Sequence, residues 1–175
     1  MILKPQDVVI LLKLISLKSQ AWTYAELAKA LFMSVSEVHG GLKRAANAKL
    51  IHLNTAHPLY KKPNRKALLE FLVHGVKYAY PSEFGRITRG IPTAYAAPPL
   101  QQLIVQNEEY PPVWFDAESD IQGYEVLPLY KSVPPAAKLD EELYKLLALL
   151  DAIRIGRARE KQLAIQELTK RLTSG

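Results

Sequence analysis

The sequence predicts a mainly α-helical protein with a small β component, in three parts: a helical N-terminal module ending in a β-hairpin, a proline-rich arm and a C-terminal helical hairpin. Three observations lead there. Two Ser/Thr-x-x-Glu signatures, Thr23–Glu26 and Ser34–Glu37, mark two helix starts in close succession. Eight of the twelve prolines lie between Pro92 and Pro135, where helix interiors and central strands are both disfavoured. Leu143, Leu146, Leu147, Leu150 and Ile153 then form an apolar stripe at helical spacing.

The first helix is expected over residues 6–18, with Val8, Val9, Leu11, Leu12 and Ile15 inward. Thr23 caps a short helix over 24–31, and Ser34 caps a third over 35–48. Two capped helices joined by a tight turn form a helix-turn-helix. A short extended piece begins at Leu50-Ile51, a loop with Pro58 and Pro63 follows, and Asn64 caps a helix over 65–74. Val76, Tyr78 and Tyr80 alternate with Lys77 and Ala79, and Gly85 offers a turn. A β-hairpin over roughly 76–95 is therefore expected. Asp140 caps the leucine-striped helix, and Gly156 is placed for a left-handed stop before a last helix over 157–172. The resulting division is 1–95 for the N-terminal domain, 96–138 for the arm and 139–175 for the hairpin, which serves packing or dimerisation.

The 175 residues contain no cysteine, which excludes disulfides, thiol nucleophiles and cysteine-based zinc sites and makes a cytoplasmic location the expectation. No run of about 18 apolar residues points to a membrane. The net charge of +6 is unevenly placed. Residues 1–98 hold 14 Lys/Arg against 5 Asp/Glu, and residues 99–175 hold 9 against 12. A basic first half suits a polyanionic partner.

No phosphate-binding glycine loop, nucleophile elbow or metalloprotease histidine pair is present. His39, His52, His57 and His74 make no i, i+4 pair. No catalytic residue, metal or cofactor is expected. The positive signal is the third helix, which in a helix-turn-helix enters the major groove of double-stranded DNA. With Val35, Val38, Leu42 and Ala45 inward, its outer face carries Ser36, Glu37, His39, Gly40, Lys43 and Arg44, with Ser34 at its cap. Arginine and lysine reach phosphates or guanine, and Ser36 and His39 reach bases or phosphates. Gly40 permits a close approach to the nucleic-acid backbone, whereas Gly41 borders the preceding helix. In a winged helix a β-hairpin follows and lies on the flanking DNA. Lys77, Arg86 and Arg89 of the expected hairpin then meet phosphates, and so do Lys61, Lys62 and Arg65 at a helix start.

Residues 5–52, with the short "TYAELAKAL" helix, the "SVSEVHGGLKRA" helix and the closing "AKLI" in order, resemble bacterial winged helix-turn-helix transcriptional regulators of the multiple-antibiotic-resistance type. The resemblance implies a sequence-specific DNA-binding regulator acting as a homodimer on two-fold sites. The alternative is an antitoxin-like or adaptor protein whose C-terminal half docks a protein partner.

Overall fold

The computed structural model describes residues 1–52 and 61–174. Helix α1 (Pro5–Leu17) begins with proline, tolerated in a first turn where the N–H has no helical partner. Asp7 accepts the Lys4 N–H at 2.9 Å and closes that end. From Val8 to Ile15 every residue is buried, so α1 has no solvent face. Lys13 lies in this run, and its ammonium reaches Asp140 Oδ2 at 2.7 Å. The same carboxylate accepts from Ser16 Oγ at 2.8 Å and from the Leu143 N–H at 3.0 Å.

Helices α2 (Tyr24–Leu31) and α3 (Val35–Asn47) are joined by Phe32, Met33 and Ser34. Both expected capping boxes form. Thr23 Oγ1 accepts from the Glu26 N–H at 3.1 Å and Ser34 Oγ from the Glu37 N–H at 3.0 Å. Phe32 turns the chain with left-handed backbone, φ 55°. Val38, Leu42 and Ala45 are buried as expected, but Val35 is half exposed. Strand β1 (Ile51–His52) pairs antiparallel with β2 (Lys62–Pro63), placing Ile51 opposite Pro63 and His52 opposite Lys62. The rest of the expected extended piece at 53–54, the loop around Pro58, and His57 lie outside the described residues.

Asn64 Oδ1 caps α4 (Arg65–His74) through the Ala67 N–H at 3.2 Å. The hairpin expected over 76–95 does not form. Residues Val76–Ala79 are a further helical turn, α5, which buries Val76 and contacts the helix beginning at Glu141. Alternation of tyrosines alone had pointed to a strand. Here the side chains go separate ways: the Tyr80 hydroxyl donates to the Leu3 carbonyl at 2.9 Å, and Tyr78 stays exposed.

Strand β3 (Phe84–Pro92) pairs instead with two strands from the proline-rich segment. It runs antiparallel to both β4 (Pro112–Phe115) and β5 (Gln122–Val126), and these two pair parallel to each other, so the sheet closes into a three-stranded barrel. The closure needs two glycines at its tightest contacts. A Cβ on Gly90 would stand 2.0 Å from the Trp114 carbonyl oxygen, and one on Gly123 would stand 2.0 Å from that of Pro111. The segment 96–138 is thus folded. Pro112 begins β4, and Pro134 and Pro135 occupy the first turn of α6 (Val133–Leu139), positions at which no N–H donor is required.

Helices α7 (Glu141–Ile155) and α8 (Ala158–Thr173) form the expected hairpin. Gly156 adopts φ −73°, ψ 163°, an extended rather than left-handed stop. The leucine stripe is buried against α1, α6 and α8, so it is not a free face for a second copy. One cluster of buried side chains runs from Val8 through Leu42, Leu68 and Trp114 to Leu146 and Leu172, crossing the divisions expected at 95 and 138.

The barrel is fastened to α7 by a buried polar centre. Asp151, 2% exposed, accepts from Thr93 Oγ1 and Trp114 Nε1, both at 2.7 Å, and from Arg154 Nη1 at 2.9 Å. Arg154 Nε donates onward to the Tyr80 carbonyl at 2.9 Å. Burial pushes the Asp151 carboxyl above the usual range, while Arg154 and the two neutral donors pull the other way. Changing Asp151 to alanine leaves a buried guanidinium and an indole N–H unpaired and should lower stability by about 3–5 kcal/mol in urea unfolding. A loss under about 1 kcal/mol would mean that the centre does not hold the barrel to the helix.

Candidate nucleic-acid interface

The exterior of α3 begins at its cap. Glu37 Oε2 accepts from the Ser34 N–H at 2.7 Å, and Glu37 Oε1 accepts from the Tyr130 hydroxyl at 2.8 Å. The backbone donor foremost, and the tyrosine next, hold the Glu37 carboxyl below the usual glutamate range. Glu37 is therefore engaged at both oxygens within the chain. Tyr130 and the exposed Lys131 bring the segment before α6 to this end of α3, with Lys131 Nζ 5.8 Å from the Tyr130 ring. Pairing of these two residues with α3 has no signal in the sequence, because 93 positions separate Tyr130 from Glu37.

Further along, Ser36, His39 and Lys43 point outward and are exposed. Arg44 does not join them. It forks onto Asp7 of α1, Nε to Oδ2 at 2.7 Å and Nη2 to Oδ1 at 2.8 Å, with the Asp7 side chain fully buried. This pairing raises the guanidinium's already high pKa. Arg44 is thus a bolt between α1 and α3 and not a free phosphate contact.

The adjacent glycines divide along the same line. A Cβ on Gly41 would lie 2.5 Å from Ile10 Cδ1 and 2.9 Å from Asp7 Oδ1. Gly41 therefore borders α1, not the preceding helix α2. A Cβ on Gly40 would meet only the Arg44 guanidinium, at 3.3 Å. The Asp7–Arg44 fork can exist because Gly41 leaves room for Asp7 against the α3 backbone.

The β1–β2 pair supplies the neighbouring basic surface. Lys61 Nζ lies 5.8 Å from the centre of the Tyr24 ring. Tyr24 in turn stands 5.3 Å from the His39 ring and 5.6 Å from Trp22. A cation just before β2, the aromatic pair Trp22 and Tyr24 at the start of α2 and the exposed face of α3 are therefore contiguous. Lys62 is exposed on β2. Arg65 is committed, since its Nη1 donates to the Arg171 and Leu172 carbonyls at 3.4 and 3.2 Å and caps the C-terminal end of α8.

The remaining expected residues sit elsewhere. Lys77 lies on α5, beside the ring of Tyr78 at 5.1 Å. Arg86 and Arg89 are exposed on β3 of the barrel, which is not a hairpin following α3. Among the described residues no three His, Asp or Glu side chains are grouped to hold a metal ion, and no helix is long and apolar enough to cross a membrane. Comparison with protein-family models, with curated proteins and with solved structures found no match.

Two predictions follow from α3. Gly40→Ala gains up to about 1 kcal/mol of helix propensity but crowds the clamped Arg44 guanidinium at 3.3 Å, so its net effect should lie near zero. Gly41→Ala should destabilise it by about 1–3 kcal/mol through overpacking against Ile10 and the clamped Asp7. Equal shifts in thermal unfolding for both would refute this division. The second concerns pH. The folded-state carboxyl of Glu37 is more acidic than its unfolded value of 4.5. Its stabilisation is complete above that value and is lost as the pH falls through the folded one. Glu37→Gln should therefore lower the melting temperature at pH 7, with the gap to the parent protein closing in acid.

Proposed function

We propose that the chain is a winged helix-turn-helix protein that binds double-stranded DNA as a transcriptional regulator, with α3 in the major groove and the β1–β2 pair as the wing. The carrying observation is the run of contacts from Lys61 through Tyr24 to His39. It joins the exposed face of α3 to the residue that leads into β2 as one continuous basic and aromatic surface. The order α1, α2, α3, β1, β2 and the excess of cations in residues 1–98 support the same reading. The side chains offered to DNA are Ser36, His39 and Lys43 on α3, Lys62 on β2 and Lys61 just before it. Gly40 stands among them. Binding as a homodimer to two-fold sites belongs to this proposal.

A second reading, docking of a protein partner by the C-terminal half, is favoured by one feature. The barrel strands expose Phe84, Ile87 and Phe115, and Leu127 just after β5 is exposed beside them in the sequence. Such a surface suits an apolar contact.

The first reading is tested by fluorescence anisotropy on duplex DNA across a salt series. Affinity should fall steeply with salt, as counterion release requires. Lys43→Ala should weaken binding and reduce the salt slope by about one, with the melting curve unchanged. Arg44→Ala should instead lower the melting temperature, because it strands Asp7. Absence of binding to any duplex at low salt would overturn the reading.

A further inference from the structure

On the side of the β1–β2 pair that meets α1, the surface opens into a cleft of about 580 Å³. Its walls are the C-terminal end of α1, the strand pair, the first turn of α4 and the facing ends of α7 and α8. Lys18, His52, Lys62, Arg65 and Arg171 line it, against the single carboxylate of Glu142. A smaller lobe of about 140 Å³ continues past Lys18 and Lys62 to Trp22 and Pro63; Leu14 and Ala21 add apolar wall, and Ser19, Gln20 and Lys61 line its polar side.

The two arginines are partly engaged. Arg65 caps α8, and Arg171 reaches Glu167 Oε2 at 2.7 Å and Glu142 Oε1 at 3.3 Å. Both remain on the lining of the cleft. Neither Lys18 nor Lys62 has an acidic partner among the described residues, and both belong to the cleft and the lobe alike. Lys18 is held at φ 57°, ψ −118°, a conformation that side-chain-bearing residues rarely adopt. Such outliers persist where the surrounding structure fixes them, and they gather at functional positions.

One arm of the cavity is walled largely by apolar side chains around Trp22 and the other is cationic, and the two lysines at the junction have no acidic partner among the described residues. We propose that this cleft binds a nucleotide. The base lies in the lobe against Trp22 and Pro63, and the phosphate sits between the Lys18 and Lys62 ammonium groups, facing Arg65 and Arg171. The volume falls within the range of small-molecule sites. A phosphate dianion takes charge-assisted hydrogen bonds from several cations at once. The site shares Lys61 and Lys62 with the surface offered to DNA, but its ligand is small and its test contains no DNA, so the two readings fail separately.

The test uses the full chain and its two tryptophans. Trp22 lines the lobe, whereas Trp114 is fully buried with its N–H on Asp151. Adenosine monophosphate is titrated while tryptophan fluorescence is recorded, with adenosine and inorganic phosphate as the other probes and calorimetry as the second measurement. The expected result is saturable quenching by adenosine monophosphate, competition by inorganic phosphate, and at least tenfold weaker binding of adenosine. The Trp22→Phe variant should bind by calorimetry without the fluorescence change. The Lys18→Ala, Lys62→Ala double variant alters two exposed side chains. It should keep the parent melting curve and bind at least tenfold more weakly. No saturable response by either method, equal binding of adenosine, or unchanged affinity in the double variant would each overturn the proposal.

Discussion

The unbroken burial of α1 from Val8 to Ile15 is the constraint on which the other elements depend. A helix without a wet side must be covered all round, and no single neighbour is wide enough to do it. Helix α3 covers one flank and α7 another, and β2 closes against it as well. The two charges of α1 that lie inside this jacket then require specific partners. Asp7 takes Arg44 from α3, and Lys13 takes Asp140 at the start of α7. Each pair joins α1 to a different half of the sequence. Asp140 has the further task of capping α7, so a single carboxylate sets the start of one helix and neutralises a charge buried in another.

This jacket decides which side chains remain for an outside partner. Helix α3 has two basic residues in succession, and its packing against α1 takes one of them inward. Lys43 is left outward with Ser36 and His39. What α3 loses in charge it gains in placement, because the bidentate Asp7 fork fixes both the rotation and the height of the helix on α1. At the other end Tyr130 grips Glu37 from a segment far away in sequence. The exposed face of α3 is thus framed by two locked contacts, one at its cap and one in its last turns.

Much of this was legible from the residues. The caps at Thr23, Ser34, Asn64 and Asp140 give four helix starts that the structure reproduces, since a capping side chain acts on a backbone donor only two or three residues away. The errors come from pairings over longer spans. Strand β2 is two residues long and contains Pro63, so no periodicity announces it. The hairpin expected over residues 76–95 does not form. There Val76 faces α7 and β3 finds its partners only at Pro112–Phe115 and Gln122–Val126. The inward turn of Arg44 was hidden for a related reason. Arg44 and Lys43 look alike in a sequence, and only the position of Asp7, 37 residues earlier, separates their roles.

The ion pair between Lys13 and Asp140 spans 127 positions, and it has a consequence for how the chain is made. During synthesis α1, α2 and α3 leave the ribosome long before α7 exists. At a typical elongation rate of about 5–20 residues per second, several seconds or more separate Lys13 from its partner. For that interval α1 has α3 and β2 against it but lacks the flank that α7 covers. The core around α1 therefore closes only after α7 has emerged, more than a hundred residues behind the helix it covers.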